Sequence, residues 1–166
     1  MDRHWIGSAV LLVAIACLIL RPWEAGEPAG PASAVVPVTR VVDGDTIEVR
    51  LGGKLEDVRL IGVDTPETVK PGTPVQCFGP RASHFSKRLL EGRTVRLVFG
   101  VERRDVYGRL LAYVHLGRGF VEAMLVRRGL ARALTIPPND RFAPLLEGLA
   151  LRAARAGRGL WGACPL

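Results

Sequence analysis

Short strand-like segments separated by glycine turns constrain the fold of this 166-residue chain most strongly. Residues 46–51 alternate strictly between apolar and polar side chains, as a half-buried strand does. Asp43-Gly44 precedes this segment and Gly52-Gly53 follows it, and both pairs are strong turn signals. The same reading along the chain predicts five strands, at 35–42, 46–51, 56–63, 94–101 and 110–116.

Three segments have helical signals. A helix is predicted from Pro80 to a cap at Gly92, a short one ends before Gly129, and an apolar stripe from Phe142 to Ala153 predicts a third. The order of three strands, a helix, two strands and further helices predicts an α+β, mainly β fold. We expect a five-stranded barrel of the oligonucleotide-binding (OB) type with about three helices, because closure removes the exposed edges of a short all-antiparallel sheet.

The first 34 residues are predicted to lie outside the folded domain. Residues 5–20 contain no charged side chain, and Arg3 and Arg21 bracket them. Such a segment is about 24 Å long as a helix, just short of the roughly 30 Å hydrocarbon core. We therefore predict a signal peptide or signal anchor at 1–20, a Pro/Gly/Ala linker at 21–34 and a folded domain at 35–166. The domain is expected to be exported, either secreted or tethered to the membrane through residues 5–20.

The positive charge belongs to the folded domain. The whole chain carries a net charge of +7, and residues 35–166 alone hold 21 cations against 13 acids, a net of +8. Such an excess indicates a polyanionic partner, either nucleic acid or an anionic membrane surface. Only three His and three Cys are present, which argues against a Cys/His zinc cluster or a His-centred triad.

Three polar segments interrupt the strands, and each has two interpretations. Asp43-Gly44-Asp45-Thr46 is either a hairpin turn or part of a site for a hard cation. Residues 59–67 place Arg59 in an apolar strand and end in Asp64-Thr65-Pro66-Glu67, which is either a turn cap or a metal ligand beside a base. Residues 105–109 are either a hairpin connection or a phosphate-gripping arginine beside a tyrosine.

Together, the three segments resemble the staphylococcal nuclease (thermonuclease) family. The joint pattern is Asp-Gly-Asp-Thr, then Arg-x4-Asp-x-Pro-Glu, then Asp-x-Tyr-Gly-Arg, and the resemblance covers roughly residues 35–161. It implies a five-stranded barrel with three helices and a Ca²⁺-dependent nuclease that hydrolyses DNA and RNA. By this resemblance the products carry 3′-phosphate and 5′-hydroxyl ends.

The resemblance also implies a metal site. Ca²⁺ is expected to be held by the carboxylates of Asp45 and Asp64 and by the backbone carbonyl of Thr65. Asp43 is expected to support this site from close by. All of these are oxygen donors, which is what Ca²⁺ requires.

The catalytic roles follow from the same resemblance. Glu67 is expected to be the base or the orienter of the attacking water, while Arg59 and Arg109 grip the scissile phosphate. Tyr107 matches a tyrosine near the nucleotide, and Lys70 is a candidate substrate contact.

The chain departs from the family pattern at two places. Val106 occupies a position where the family commonly has Lys or Arg. Thr135 and Pro137 are predicted to replace two tyrosines that lie against the base and sugar in well-known members. The first departure bears on phosphate affinity, and the second leaves base stacking and base preference open.

Cys77 and Cys164 could form a disulfide in an exported domain, and the alternative is two free thiols. A bridge closing a loop of this length stabilises by roughly 4–5 kcal/mol in the chain-entropy model. It would tether the C-terminal tail to the loop next to the predicted site.

The leading hypothesis is a monomeric, exported nuclease with a preference for single-stranded DNA and RNA. The alternative is a non-catalytic nucleic-acid-binding OB-fold module, against which the retained Arg59, Glu67 and Arg109 argue. A membrane-tethered module for anionic lipid is a third interpretation, but it leaves the acidic and arginine residues unexplained.

Overall fold

The computed structural model describes residues 32–69 and 71–165. The strands are β1 (Ser33–Asp43), β2 (Thr46–Leu51), β3 (Lys54–Leu60), β4 (Val63–Asp64), β5 (Thr94–Arg104), β6 (Leu110–Leu116), β7 (Gly119–Phe120) and β8 (Arg132–Ala133). The helices are α1 (Gly79–Leu90), α2 (Val121–Arg127), α3 (Ala143–Arg155) and α4 (Leu160–Ala163).

The predicted signal or anchor segment, 1–20, and most of the predicted linker lie outside the described residues. Among the residues that are described, no helix is both long and apolar enough to cross a membrane.

Five strands form the predicted OB-type barrel, in the order β3-β2-β1-β5-β6. Each neighbouring pair in this order is antiparallel. The barrel closes between β3 and β6, where Val58 pairs with Leu110 in parallel. The expectation of an all-antiparallel sheet is therefore wrong at this seam. An odd number of strands that alternate in direction brings two strands of the same direction together on closure.

Five strand boundaries differ from the predicted ones, and two of these shifts are small: β1 ends at Asp43 rather than residue 42, and β3 begins at Lys54 rather than residue 56. β1 begins at Ser33 rather than residue 35, because the first two residues already pair with β5. The predicted strand 56–63 ends at Leu60, since Gly62 adopts a left-handed φ of 83° and turns the chain before β4. β5 continues past residue 101 to Arg104 through an irregularity in its pairing with β6.

Helix α1 fixes the turn that follows β1. Its inner face is fully buried at Ala82, Ser86 and Leu90. The Ser86 hydroxyl donates a hydrogen bond of 2.5 Å to the Gly44 carbonyl in that turn. The helix therefore packs against the barrel and also holds the segment that carries Asp43 and Asp45.

Glu122 is an ionisable group in the core of the domain. It is the second residue of helix α2, its side chain is fully buried, and its Oε1 accepts the backbone N–H of Val114 at 2.9 Å. No described residue offers a hydrogen-bond partner to its Oε2. Burial raises the pKa of Glu122 well above its ordinary value of 4.5, because the charged form has lost its water.

We expect Glu122→Gln to remove a pH dependence of stability. The raised pKa gives a stabilisation that is complete below the unfolded pKa near 4.5 and is lost as the pH rises from there through the folded pKa. The free energy of unfolding of the Gln variant, relative to wild type, should increase by up to about 1.4 kcal/mol per pH unit in this window. Urea unfolding of both proteins between pH 4 and pH 8 measures this difference. Parallel pH profiles of the two proteins would contradict the raised pKa of Glu122.

Candidate active site

One cleft at the rim of the barrel collects the motif residues. It has a volume of about 440 Å³ and is formed by the turn after β1, strand β3, β4, the loop 65–78 and the β5–β6 hairpin. The predicted site residues that line it are Asp43, Asp45, Arg59, Asp64, Thr65, Glu67, Tyr107 and Arg109. Lys70 lies outside the described residues.

Asp45 is, with Asp43, one of the two most enclosed carboxylates of the cleft, with 6% of the residue exposed. Its Oδ2 accepts the backbone N–H of Thr65 at 2.7 Å and the Thr65 hydroxyl at 2.9 Å. The hydroxyl of Thr46 donates to Oδ1 at 3.2 Å. Asp45 therefore links the turn after β1 to the loop that carries Glu67.

Arg59 lies between two carboxylates. Its Nη2 is 3.2 Å from Asp45 Oδ2 and 3.3 Å from Asp64 Oδ1. Its Nη1 donates to the backbone carbonyls of Leu60 and Val63, each at 2.8 Å. The side chain is only 15% exposed, so these partners compensate its burial and fix its position.

Asp43 supports the site through hydrogen bonds. Its Oδ1 accepts the N–H of Gly44 at 2.7 Å and the hydroxyl of Thr68 at 2.6 Å. The second bond joins the turn after β1 to the residue next to Glu67. Sequence reasoning missed Thr68, because a threonine in a loop carries no signal of a partner 25 residues away.

Glu67 is held by its own loop. Its Oε1 accepts the backbone N–H groups of Thr68 at 2.9 Å and Val69 at 2.8 Å. Its backbone N–H donates to Oε1 of Gln76 at 3.0 Å, and the Gln76 N–H donates to the Glu67 carbonyl at 2.9 Å. Gln76 is a second residue that the sequence did not single out.

Arg109 is oriented by Asp105 in the β5–β6 hairpin. The two side chains form an ion pair in which Nε donates to Asp105 Oδ2 at 2.7 Å. Among the described residues, nothing bonds the terminal Nη groups of Arg109, which lines the cleft. Its guanidinium also lies 5.4 Å from the ring centre of Tyr107, a residue that is 80% exposed.

The clustered carboxylates influence each other's protonation. Desolvation raises the pKa of Asp43, and the charges of Asp45 and Glu67 add to this, while its hydrogen bonds from Thr68 and Gly44 oppose it. Desolvation likewise raises the pKa of Asp64, which the positive charge of Arg59 opposes. A further positive charge in the cleft would favour the ionised form of both groups.

An apolar pocket of about 380 Å³ adjoins this cleft and shares Arg59, Tyr107 and Arg109 with it. Leu134 and Ile136 line its wall. The predicted positions, Thr135 and Pro137, do not line it, and the Thr135 hydroxyl instead donates to Glu147 of α3 at 2.8 Å. Side chains alternate along this extended segment, so an offset of one residue exchanges the wall positions.

The oxygen donors fit a hard cation, although the carboxylates do not enclose one by themselves. Among residues 32–69 and 71–165, no three His, Cys, Asp or Glu side chains form a ready-made metal cluster. Asp45 and Asp64 nevertheless converge on one positive group, the guanidinium of Arg59. A site with two such carboxylates needs a backbone carbonyl and water to complete the oxygen shell that Ca²⁺ prefers.

Cys77 and Cys164 form a disulfide with a Cα–Cα distance of 5.8 Å. It joins the end of the loop 65–78 to the residue that follows α4. A small cavity between these segments is lined by residues of both, including Gln76 and Leu160, and by Arg132 of β8.

Fold and cleft together define a class: a small OB-type barrel whose rim combines carboxylates with arginines, as phosphodiester chemistry requires. A family model described as staphylococcal nuclease homologue matches residues 57–163. The chain is 44% identical to the thermonuclease of Staphylococcus intermedius over 166 residues, covering 97% of this chain and 99% of that protein. It is 39% identical to the thermonuclease of Staphylococcus hyicus over 167 residues, with the same coverage.

Endonuclease YncB of Bacillus subtilis (strain 168) is 45% identical over 109 residues, which are 64% of this chain and 52% of that protein. The chain therefore belongs to the staphylococcal nuclease family, and the family predicted from the motifs is confirmed.

We expect Gly44→Ala to disturb the site. A Cβ at Gly44 would lie 2.7–2.9 Å from three atoms of the Thr65 side chain, so this side chain, which bonds Asp45, would have to shift. Overpacking of this kind costs about 1–3 kcal/mol, which urea unfolding measures. The matched control is Gly148→Ala in helix α3, where the nearest atom to a new Cβ is 3.6 Å away. It should be neutral or stabilising by up to about 1 kcal/mol, and equal losses in both variants would contradict the close contact.

Proposed function

We propose that this chain is an exported, calcium-dependent nuclease that cleaves phosphodiester bonds of DNA and RNA and leaves 3′-phosphate and 5′-hydroxyl ends. Membership of the staphylococcal nuclease family supports the nuclease activity. The observation that carries the proposal is the cleft, in which Glu67 and the Nη groups of Arg109, which no described residue bonds, lie with Arg59 and the acidic residues.

Glu67 and the two arginines have different roles in the proposed reaction. Glu67 accepts a proton from the attacking water, whose oxygen forms the new bond to phosphorus. The bond from phosphorus to the 5′-oxygen breaks, and this oxygen leaves with the electron pair and takes a proton from solvent. Negative charge grows on the phosphoryl oxygens during this displacement, and fixed donors on Arg109 and Arg59 lower the barrier.

Calcium is proposed as the cofactor, held by Asp45, Asp64 and the Thr65 carbonyl. When bound, it supplies positive charge beside the phosphate and a template for substrate and water. The donor chemistry supports this assignment, since each proposed ligand is an oxygen. The chain's own contribution is to hold the two carboxylates together, with Thr65 fixed against Asp45.

The apolar pocket supports a preference for single strands. Its wall of Leu134 and Ile136 and the exposed ring of Tyr107 provide a surface for one nucleobase next to the arginines. A base can enter such a pocket only when it is unpaired and unstacked. Aliphatic walls make few directional contacts, so we expect weak base preference.

Substitution of Glu67 or Arg109 should abolish most of the activity without unfolding the domain. We expect Glu67→Gln and Arg109→Ala each to lower kcat by about 10²-fold or more, because each removes a group that acts mainly in the transition state. Cleavage of a single-stranded oligonucleotide in Ca²⁺ by the full-length chain measures this, with duplex of the same sequence as a comparison.

The matched control for charge is Arg96→Ala on β5, which does not line the cleft and should keep kcat within about twofold. Full activity of Glu67→Gln, or full activity in excess chelator, would exclude the proposed mechanism. A wild type that binds oligonucleotides but cleaves none would favour the alternative, a non-catalytic nucleic-acid-binding module.

Calcium should stabilise the fold through Asp64. At about 100 times its dissociation constant, a ligand bound to the native state alone adds about 2.7 kcal/mol, which raises the midpoint of thermal unfolding by several degrees. We expect Asp64→Asn to lose most of this shift, while Asp57→Asn, in the same cleft but outside the proposed ligand set, retains it. Calorimetry with and without Ca²⁺ measures both, and an equal shift in Asp64→Asn and wild type would remove Asp64 from the ligand set.

A further inference from the structure

We propose that the Cys77–Cys164 disulfide positions Glu67 through Gln76, so that the turnover of this nuclease depends on the oxidised bridge. Glu67, Gln76 and Cys77 belong to the same loop, and Cys164 lies at the other end of the domain sequence. The inference rests on the proposed role of Glu67 in activating water.

Gln76 holds the backbone of Glu67 from both sides. Its side-chain oxygen accepts the Glu67 N–H at 3.0 Å, and its own N–H donates to the Glu67 carbonyl at 2.9 Å. These two bonds close the loop at its base and set the direction in which the Glu67 side chain leaves the backbone. Gln76 directly precedes Cys77, so the bridge restrains the residue that makes both bonds.

The far end of the bridge is anchored at the turn that follows α2. Cys164 directly follows α4, whose first residue, Leu160, is buried and donates its N–H to the Gly129 carbonyl at 2.8 Å. Gly129 and Gly159 lie so close that a side chain on either would overlap the backbone of the other segment. Cys164 therefore offers a fixed point against which the loop is held.

Burial alone does not hold this part of the loop. Residues 74–77 are all exposed, including Gln76 itself. Exposed backbone with few packed neighbours opens at low free-energy cost, and hydrogen bonds in such a segment do not by themselves fix a geometry. The covalent link to Cys164 supplies the restraint that packing does not.

The first test compares kcat and KM of the wild type with those of Cys77→Ser/Cys164→Ser, using the full-length chain, single-stranded DNA and saturating Ca²⁺. We expect kcat to fall about tenfold, because a misplacement of about 1 Å at a reacting group can cost up to about 10²-fold. KM should stay within about twofold, since the proposed substrate contacts Tyr107 and Arg109 lie on the β5–β6 hairpin and not on the loop 65–78. Unchanged kcat in the double variant would overturn the proposal.

Gln76→Ala tests the route from the bridge to Glu67 while the disulfide remains intact. It should lower kcat by a similar factor, and combining it with the two serine substitutions should give little further loss. Wild-type kcat in Gln76→Ala would overturn the proposal, as would multiplicative losses in the combined variant, because two independent supports would then act on the site.

Reduction gives the same test without substitution. Dithiothreitol converts the bridge to two thiols and is itself oxidised to a cyclic disulfide, so two electrons and two protons are transferred. It should lower kcat of the wild type to the level of the double-serine variant and leave that variant unchanged. A wild type whose bridge is shown to be reduced and whose kcat is unaffected would overturn the proposal.

Val95→Ala in strand β5 is the control for lost stability, since this buried side chain belongs to the hydrophobic core and lines neither the cleft nor the cavity beside the bridge. At a temperature where circular dichroism shows every variant folded, its kcat should equal that of wild type. An equal loss of kcat in Val95→Ala would assign the effect of the bridge to general destabilisation. Full activity of Glu67→Gln would instead overturn the proposed function, which separates the two failures.

Discussion

The buried carboxylate of Asp45 is the interaction on which the rest of the site depends. A carboxylate that is 6% exposed must find donors or charge partners, and this one finds Thr65, Thr46 and Arg59. These residues come from the loop after β4, from the start of β2 and from β3. Asp45 is therefore fully compensated only when all three segments are in their native register, so the site is assembled only when β2, β3 and the loop after β4 are in place.

The two arginines of the motif are not equivalent in this arrangement. Arg59 commits both terminal nitrogens to the protein, to two carboxylates and two carbonyls. Arg109 is held through Nε by Asp105, and its terminal nitrogens have no bond to any described residue. In the proposed mechanism Arg109 is thus prepared for a two-point contact with phosphate, whereas Arg59 would have to exchange a carboxylate for the substrate. A lysine could not reproduce either arrangement, since it lacks the planar fork.

Much of the fold could be predicted because its signals are local. Alternation along 46–51 and the turn pairs at 43–44 and 52–53 specify neighbouring strands without reference to the rest of the chain. The features that were mispredicted are non-local. The parallel seam follows from the number of strands, and Gly62 breaks the third strand at the point where Leu146 of α3 packs against it.

The candidate site likewise combines residues that could be predicted from the sequence with residues that could not. The motifs placed Arg59, Glu67 and Arg109 in one cleft, but Leu134 and Ile136 were missed because a count along the sequence does not show which alternate side chain faces the pocket. Gln76 was missed because its partner lies nine residues away across a loop.

Cys77 was singled out in the sequence because two cysteines of an exported domain can form a disulfide, and not because it belongs to a motif. Disulfides form and persist in oxidising compartments, so a bridge that positions Glu67 would complete the site only after export. Under the proposed export, the predicted apolar leader and the cysteine pair, which are unrelated as sequence signals, would serve one purpose: the enzyme would be fully active only where its bridge is stable.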